Sequence, residues 1–149
     1  MIVRLAELEK DGPAILAGAK DFISRMDFTE GLPETDVDLA EAIAHLIGVG
    51  LEIAVAVRDG EIVGGIGILY APFPWNRQKT IASELFIWTD RDAPPTTLLS
   101  LLRFVERRIK ERSVSLKEFV SLTSSPPGIA GVYARMGLRK TQESWMGAA

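Results

Sequence analysis

Two side chains have the chemistry to move a proton, and each sits in apolar surroundings. Glu84 lies in the run Ala82-Ser83-Glu84-Leu85-Phe86-Ile87-Trp88-Thr89, which is otherwise rich in β-branched and aromatic residues. Burying an unpaired charge is costly. A carboxylate here therefore needs either a partner or a solvated strand face. Burial would raise its pKa towards the range a general base uses, whereas simple alternation would leave it an exposed face residue. Tyr133 lies in a short apolar helical stretch near the C-terminus, where an aromatic residue packs the last helix against the sheet. The chain has no cysteine and only one histidine, His45. That excludes disulfides, a thiolate nucleophile, cysteine-based metal sites and a multi-histidine metal cluster. His45 falls on or near the apolar stripe of a helix and reads as a partly buried helix residue rather than a base.

A third feature could hold an anion. Residues 82–112 read as a strand, a loop and a long helix. A helix start leaves free backbone N–H groups pointing at one place, and the helix dipole favours negative charge there. The loop, Asp90-Arg91-Asp92-Ala93-Pro94-Pro95-Thr96-Thr97, contains no glycine. Its prolines remove donors that a helix would not use. The N–H groups of Thr96, Thr97, Leu98 and Leu99 remain as phosphate donors, and the threonine hydroxyls add to them. Asp90 and Asp92 oppose an anion, and Arg91 offsets part of that.

The elements that must position these residues follow from periodicity. Residues 2–5 alternate like a short strand. Asp11-Gly12-Pro13 opens a helix with Ile15, Leu16, Ala19, Phe22 and Ile23 on one face. Thr35 or Asp36 caps a second, with Leu39, Ile43, Leu46 and Ile47 as its stripe. Residues 51–58 form a strand, Asp59-Gly60 is a hairpin turn, and residues 61–70 form the return strand, whose glycines signal a bulge or a close neighbour. Residues 71–78 form a proline-broken connection. The long helix runs from about Pro95 to Glu111 with Leu98, Leu101, Leu102, Val105 and Ile109 inward, while Arg103, Arg107, Arg108, Lys110 and Arg112 form a solvated face. A strand at 116–122, a helix from Ile129 to Met136 capped by Gly137, and an extended segment at 138–145 complete the order β-α-α-β-β-β-α-β-α-β.

The 149 residues fit one domain. Apolar residues are 47% and charged residues 25%, ordinary for a globular protein, and the net charge of −3 gives no bulk attraction to nucleic acid or an anionic membrane. The N-terminus lacks the pattern of a signal peptide. The most apolar stretch, about 42–57, is broken by His45, Glu52 and glycines and falls short of the ~20 apolar residues of a span. A cytoplasmic protein is the expectation.

This order resembles the GNAT superfamily of acyl-CoA-dependent N-acyltransferases across nearly the whole chain. The most specific part is Gly131-Val132-Tyr133-Ala134-Arg135-Met136-Gly137-Leu138, a tyrosine four residues before a glycine that is followed by a large apolar residue. The Asp59-Gly60 hairpin and the strand-loop-helix unit also fit. The resemblance implies an α/β (α+β) fold, a mixed central sheet of about six to seven strands flanked by four helices. It implies transfer of an acetyl group from acetyl-CoA to a primary amine by direct attack in a ternary complex, without a metal. It casts Glu84 as the general base, directly or through water, and Tyr133 as the proton donor to the CoA thiolate. The backbone of Ile87, Trp88 and Thr89 would pair with the pantetheine arm. Thr96, Thr97, Leu98 and Leu99 would hold the pyrophosphate, where the family usually carries an arginine or glutamine followed by spaced glycines. An acyl-cysteine intermediate is excluded. The alternative is a GNAT-fold binding or regulatory module without catalysis, motivated by the glycine-free loop. Expected partners are acetyl-CoA and an amine acceptor, without nucleic acid or membrane; homodimers are common in the family. Phe73-Pro74-Trp75 is either an interface or lid, or folds back on the sheet edge.

Overall fold

The computed structural model describes residues 1–148. Five strands and four helices occur among them. They are β1 (Ile2–Leu5), α1 (Leu8–Ser24), α2 (Asp36–Gly48), β2 (Leu51–Arg58), β3 (Glu61–Phe73), β4 (Asn76–Thr89), α3 (Thr97–Glu111), β5 (Leu116–Glu118) and α4 (Ile129–Arg135). The sheet runs β1-β2-β3-β4-β5; all pairs are antiparallel except β4–β5, which is parallel. Helix α3 makes the crossover between those two, as a parallel pair requires.

One apolar layer lies on each sheet face. Ile15, Ala19 and Phe22 of α1 and Leu39 and Ile43 of α2 pack with Ile53, Val55, Phe86 and Trp88. Leu101, Leu102, Val105 and Ile109 of α3 and Ile129 and Tyr133 of α4 pack with Ala54, Ile66, Ile68, Ala82 and Ile87 on the other face. The stripes read from helical spacing are the ones buried. Leu102 is 1% exposed, so Leu102→Asp places an unpaired charge in the centre of the second layer. It is expected to abolish cooperative folding, which a circular-dichroism melt checks; a soluble variant with a sharp transition would show that α3 is not packed this way.

Several boundaries differ from the sequence reading, each for a local reason. The sheet has five strands rather than six to seven. Residues 139–148 are irregular and mostly exposed; the polar run Arg139-Lys140-Thr141-Gln142-Glu143-Ser144 has no apolar alternation to bury. The strand expected at 116–122 stops at Glu118, because the next ladder donor, Val120 N–H, goes to the Glu84 carboxylate instead. Helix α1 starts at Leu8 with Pro13 inside it. Its start is fixed by Asp11, which accepts the Glu7 N–H at 2.8 Å and both Arg4 Nη groups at 2.6 and 3.0 Å. The expected connection at 71–78 is a hairpin, with only Pro74 and Trp75 between β3 and β4. Pro72 is tolerated because β2 pairs with β3 only as far as Leu69, leaving an edge there. Trp75 at the tip is 89% exposed. His45 is exposed on α2 rather than partly buried. Arg108 does not lie on a solvated face: its Nε and Nη2 bind Glu52 of β2 at 3.1 and 2.8 Å, and Arg112 joins at 3.2 Å.

Candidate functional site

Glu84 and Tyr133, 49 positions apart, meet inside the protein. The Tyr133 hydroxyl donates to Glu84 Oε2 at 2.7 Å, and the Val120 N–H donates to the same oxygen at 3.1 Å. Glu84 is 2% and Tyr133 7% exposed. Among the described residues the other carboxylate oxygen, Oε1, is buried without a partner. Phe119 packs against the Tyr133 ring, with centroids 5.4 Å apart.

A β-bulge brings the pair together. In the β3–β4 ladder Gly67 faces Phe86 but Ile68 faces Glu84, so Leu85 is an extra residue on β4. One inserted residue reverses the side-chain phase of the strand. Phe86 and Trp88 point at the α1–α2 layer, while Ala82 and Ile87 point at the α3–α4 layer. The bulge puts Glu84 in that second layer, opposite Tyr133, when strict alternation would send it to the same face as Phe86. The glycines of β3 explain the first layer. A Cβ on Gly65 or on Gly18 of α1 would lie 2.1 Å from the Trp88 indole, so the ring is slotted between strand and helix.

Tyr133 is fixed by the end of its helix. Gly137 has φ +81, the Gly137 N–H reaches the Ala134 carbonyl at 3.0 Å, and the Leu138 N–H reaches the Tyr133 carbonyl at 3.1 Å. This is a Schellman ending, which needs glycine in the left-handed position. The tyrosine–glycine–leucine spacing is thus a helix stop that also sets the tyrosine.

The electrostatics of the pair follow from burial. Loss of hydration pushes the Glu84 carboxyl up to about 7, against the pull of the Tyr133 and Val120 hydrogen bonds. Burial, then the neighbouring carboxylate, drives the Tyr133 phenol well above its ordinary value. At neutral pH the arrangement holds a carboxyl poised between its two forms and a phenol that keeps its proton.

Beside the pair the sheet forks. β4 and β5 pair only at residues 81–83 and 116–118, and among the described residues no strand pairs with the outer edge of β4 at 85–89. Ile87 and Trp88 are buried and Thr89 is half-buried on that edge. The strand ends in an open cleft of about 830 Å³ against α1, lined among others by Gly18, Asp21, Trp88, Thr89, Asp90 and Arg91. Burial and the nearby Asp21 and Asp92 raise the Asp90 carboxyl above its usual range.

The start of α3 divides the four residues proposed for an anion. The Thr97 N–H already donates to the Pro94 carbonyl at 2.9 Å. Its side chain is fully buried, with Oγ1 3.4 Å from Met1 Sδ. Thr96 and Leu99 are exposed and Leu98 half-buried, and among the described residues their N–H groups have no backbone acceptor. Sequence reasoning did not find the bulge, the Val120 N–H or the Phe119 contact. The adjacent apolar pair Leu85-Phe86 was the one available sign of a phase change; a main-chain donor leaves none.

No family model and no curated protein sequence matches the chain. Solved structures do. A predicted acetyltransferase with acetyl-CoA from Clostridium acetobutylicum aligns over 99% of this chain and 95% of its own, with TM-score 0.75 and 18% identity. A transcriptional regulator from Bacillus halodurans C-125 aligns over 99% of both chains, with TM-score 0.75 and 20% identity. A ribosomal-protein-alanine N-acetyltransferase from Brucella melitensis biovar Abortus 2308 aligns over 99% of this chain and 98% of its own, with TM-score 0.73 and 17% identity. The five-stranded mixed sheet and four helices of the described residues match the architecture of these structures: the chain has the GNAT acetyltransferase fold.

Proposed function

We propose that this protein is an N-acetyltransferase that moves an acetyl group from acetyl-CoA to a primary amine by direct attack in a ternary complex. One observation carries the reading: the buried Glu84–Tyr133 pair at the fork of a GNAT-type sheet, a carboxyl near neutrality in contact with a protonated phenol. Glu84 accepts the proton of the attacking amine. The nitrogen forms a bond to the thioester carbon, the carbon–sulfur bond breaks, and Tyr133 donates to the departing sulfur. Much of the rate comes from holding amine and thioester together.

Two features support acetyl-CoA as the donor substrate. The unpaired edge of β4 at Ile87, Trp88 and Thr89 offers main-chain groups to the amides of a pantetheine arm. The unbonded N–H groups of Thr96, Leu98 and Leu99 offer donors to a pyrophosphate at a helix start. Thr97 takes a different part, since its N–H and hydroxyl are engaged within the protein.

The cofactor claim is tested by melting the protein with and without acetyl-CoA. A ligand at a hundredfold its dissociation constant stabilises by about 2.7 kcal/mol. For a chain of this size that is a rise of roughly 5–10 °C. An unchanged melting temperature at millimolar acetyl-CoA would favour a GNAT-fold binding module, the reading to which the glycine-free loop with Asp90 and Asp92 points. Thiol release in the presence of an N-terminal-alanine peptide, an aminoglycoside or spermidine then identifies the class of acceptor.

A further inference from the structure

We propose that Glu84 and Tyr133 work as one proton-transfer unit, in which the proton Glu84 takes from the amine is the one that restores Tyr133 after it has protonated the sulfur. The proposal rests on the acyl-transfer reading above. It stands on three facts. The two groups touch directly, at 2.7 Å, with no intervening atom. Among the described residues Glu84 Oε1 is buried and has no hydrogen-bond partner, so one lone-pair site on the carboxylate is not engaged within the protein. Both side chains are buried, and Phe119 packs on the Tyr133 ring, which keeps bulk water from serving as a proton store.

The chemistry balances within the pair. The amine nitrogen bonds to the thioester carbon and its proton passes to Glu84 Oε1, leaving a neutral acid. The carbon–sulfur electron pair departs with sulfur, which takes the Tyr133 proton. The neutral Glu84 then turns about its Cγ–Cδ bond and returns its proton to the Tyr133 oxygen. The net change is one proton moved from nitrogen to sulfur, with carboxylate and phenol as they began. The reach is suitable, because nitrogen and sulfur are bonded to the same carbon when the proton must cross. The contact also orders the steps. While Glu84 is ionised, its charge and its acceptance of the hydroxyl proton oppose loss of that proton. Both effects lapse once Glu84 has been protonated, so Tyr133 becomes a competent acid only after Glu84 has acted as base.

A double-mutant cycle tests the unit. Single-turnover thiol release from acetyl-CoA is measured for Glu84→Gln, Tyr133→Phe and the pair, with the alanine peptide, aminoglycoside or spermidine as acceptor. Each single change is expected to slow the step about a hundredfold, and the double variant no further than the slower single, as groups acting together do. Costs that multiply to about ten-thousandfold overturn the unit while leaving the acyl-transfer reading in place. Single variants at the wild-type rate overturn both. A readout free of acceptor is the carbon-13 signal of the Glu84 carboxyl. Its titration midpoint rises in Tyr133→Phe as a stabilising hydrogen bond is lost; an unmoved midpoint overturns the proposal.

Discussion

Tyr133→Phe is expected to lower turnover by about 10²–10⁴-fold while changing acetyl-CoA affinity little. The ring stays, so its packing against Phe119 and the second core layer is kept. What is lost is one hydroxyl, with two consequences for the reaction. In the proposed mechanism the departing sulfur then has no positioned donor and must leave as a thiolate inside a low-dielectric site. The Glu84 carboxylate keeps only the Val120 N–H and is harder to ionise, so the rising limb of the pH–rate profile shifts to higher pH. A purely structural tyrosine would change neither. Steady-state rates with acetyl-CoA and a primary amine, together with calorimetric affinity for acetyl-CoA, check both halves. Wild-type turnover would remove Tyr133 from the mechanism.

The parts of this molecule legible in the sequence are those set by local chemistry. Asp59 and Gly60 both take positive φ, 52 and 87, as the two-residue hairpin turn demands. Thr35 accepts the Asp38 N–H at 3.1 Å, the cap its position promised. The α3 stripe is buried where 3.6-residue spacing puts it. Illegible parts depend on a partner distant in sequence. Glu84 and Tyr133 are each conspicuous, but their contact depends on the bulge at Leu85, which one extra residue creates and no propensity announces. The end of β5 depends on a carboxylate taking a main-chain donor from the ladder. Arg108 reads as a surface cation until β2 supplies Glu52. The strand-loop-helix unit is legible in residue types and apolar spacing, and the resemblance agrees with it. Neither foretells that Thr97 turns inward and spends its N–H on Pro94.

The Glu84 carboxyl also gives stability a pH dependence of uncommon direction. Its value in the folded protein is about 7, raised from 4.5 chiefly by burial. Between those values the native state binds a proton that the unfolded chain does not, so this group's contribution is fully present below pH ~4.5 and is lost as pH rises through 7. The displacement corresponds to something on the order of 3 kcal/mol between pH 5 and 8. Asp11 and Glu52, whose carboxyls are lowered by Arg4 and Arg108 respectively, act in the opposite sense but only as pH falls below the ordinary carboxylate range. Asp90 adds in the same direction as Glu84. Urea midpoints should therefore be higher at pH 5 than at pH 8 in the wild type, and Glu84→Gln should remove most of that difference while raising stability at pH 8. A midpoint that rises with pH in the wild type would mean that Glu84 is ionised and satisfied in the fold. The same proton links stability to catalysis in opposite directions. In the proposed mechanism the carboxyl takes a proton from the amine only when ionised, so turnover should climb through the pH range in which the fold weakens. A carboxyl kept in a buried, half-satisfied site near neutrality is thus a cost to the fold for which the proposed chemistry gives a reason.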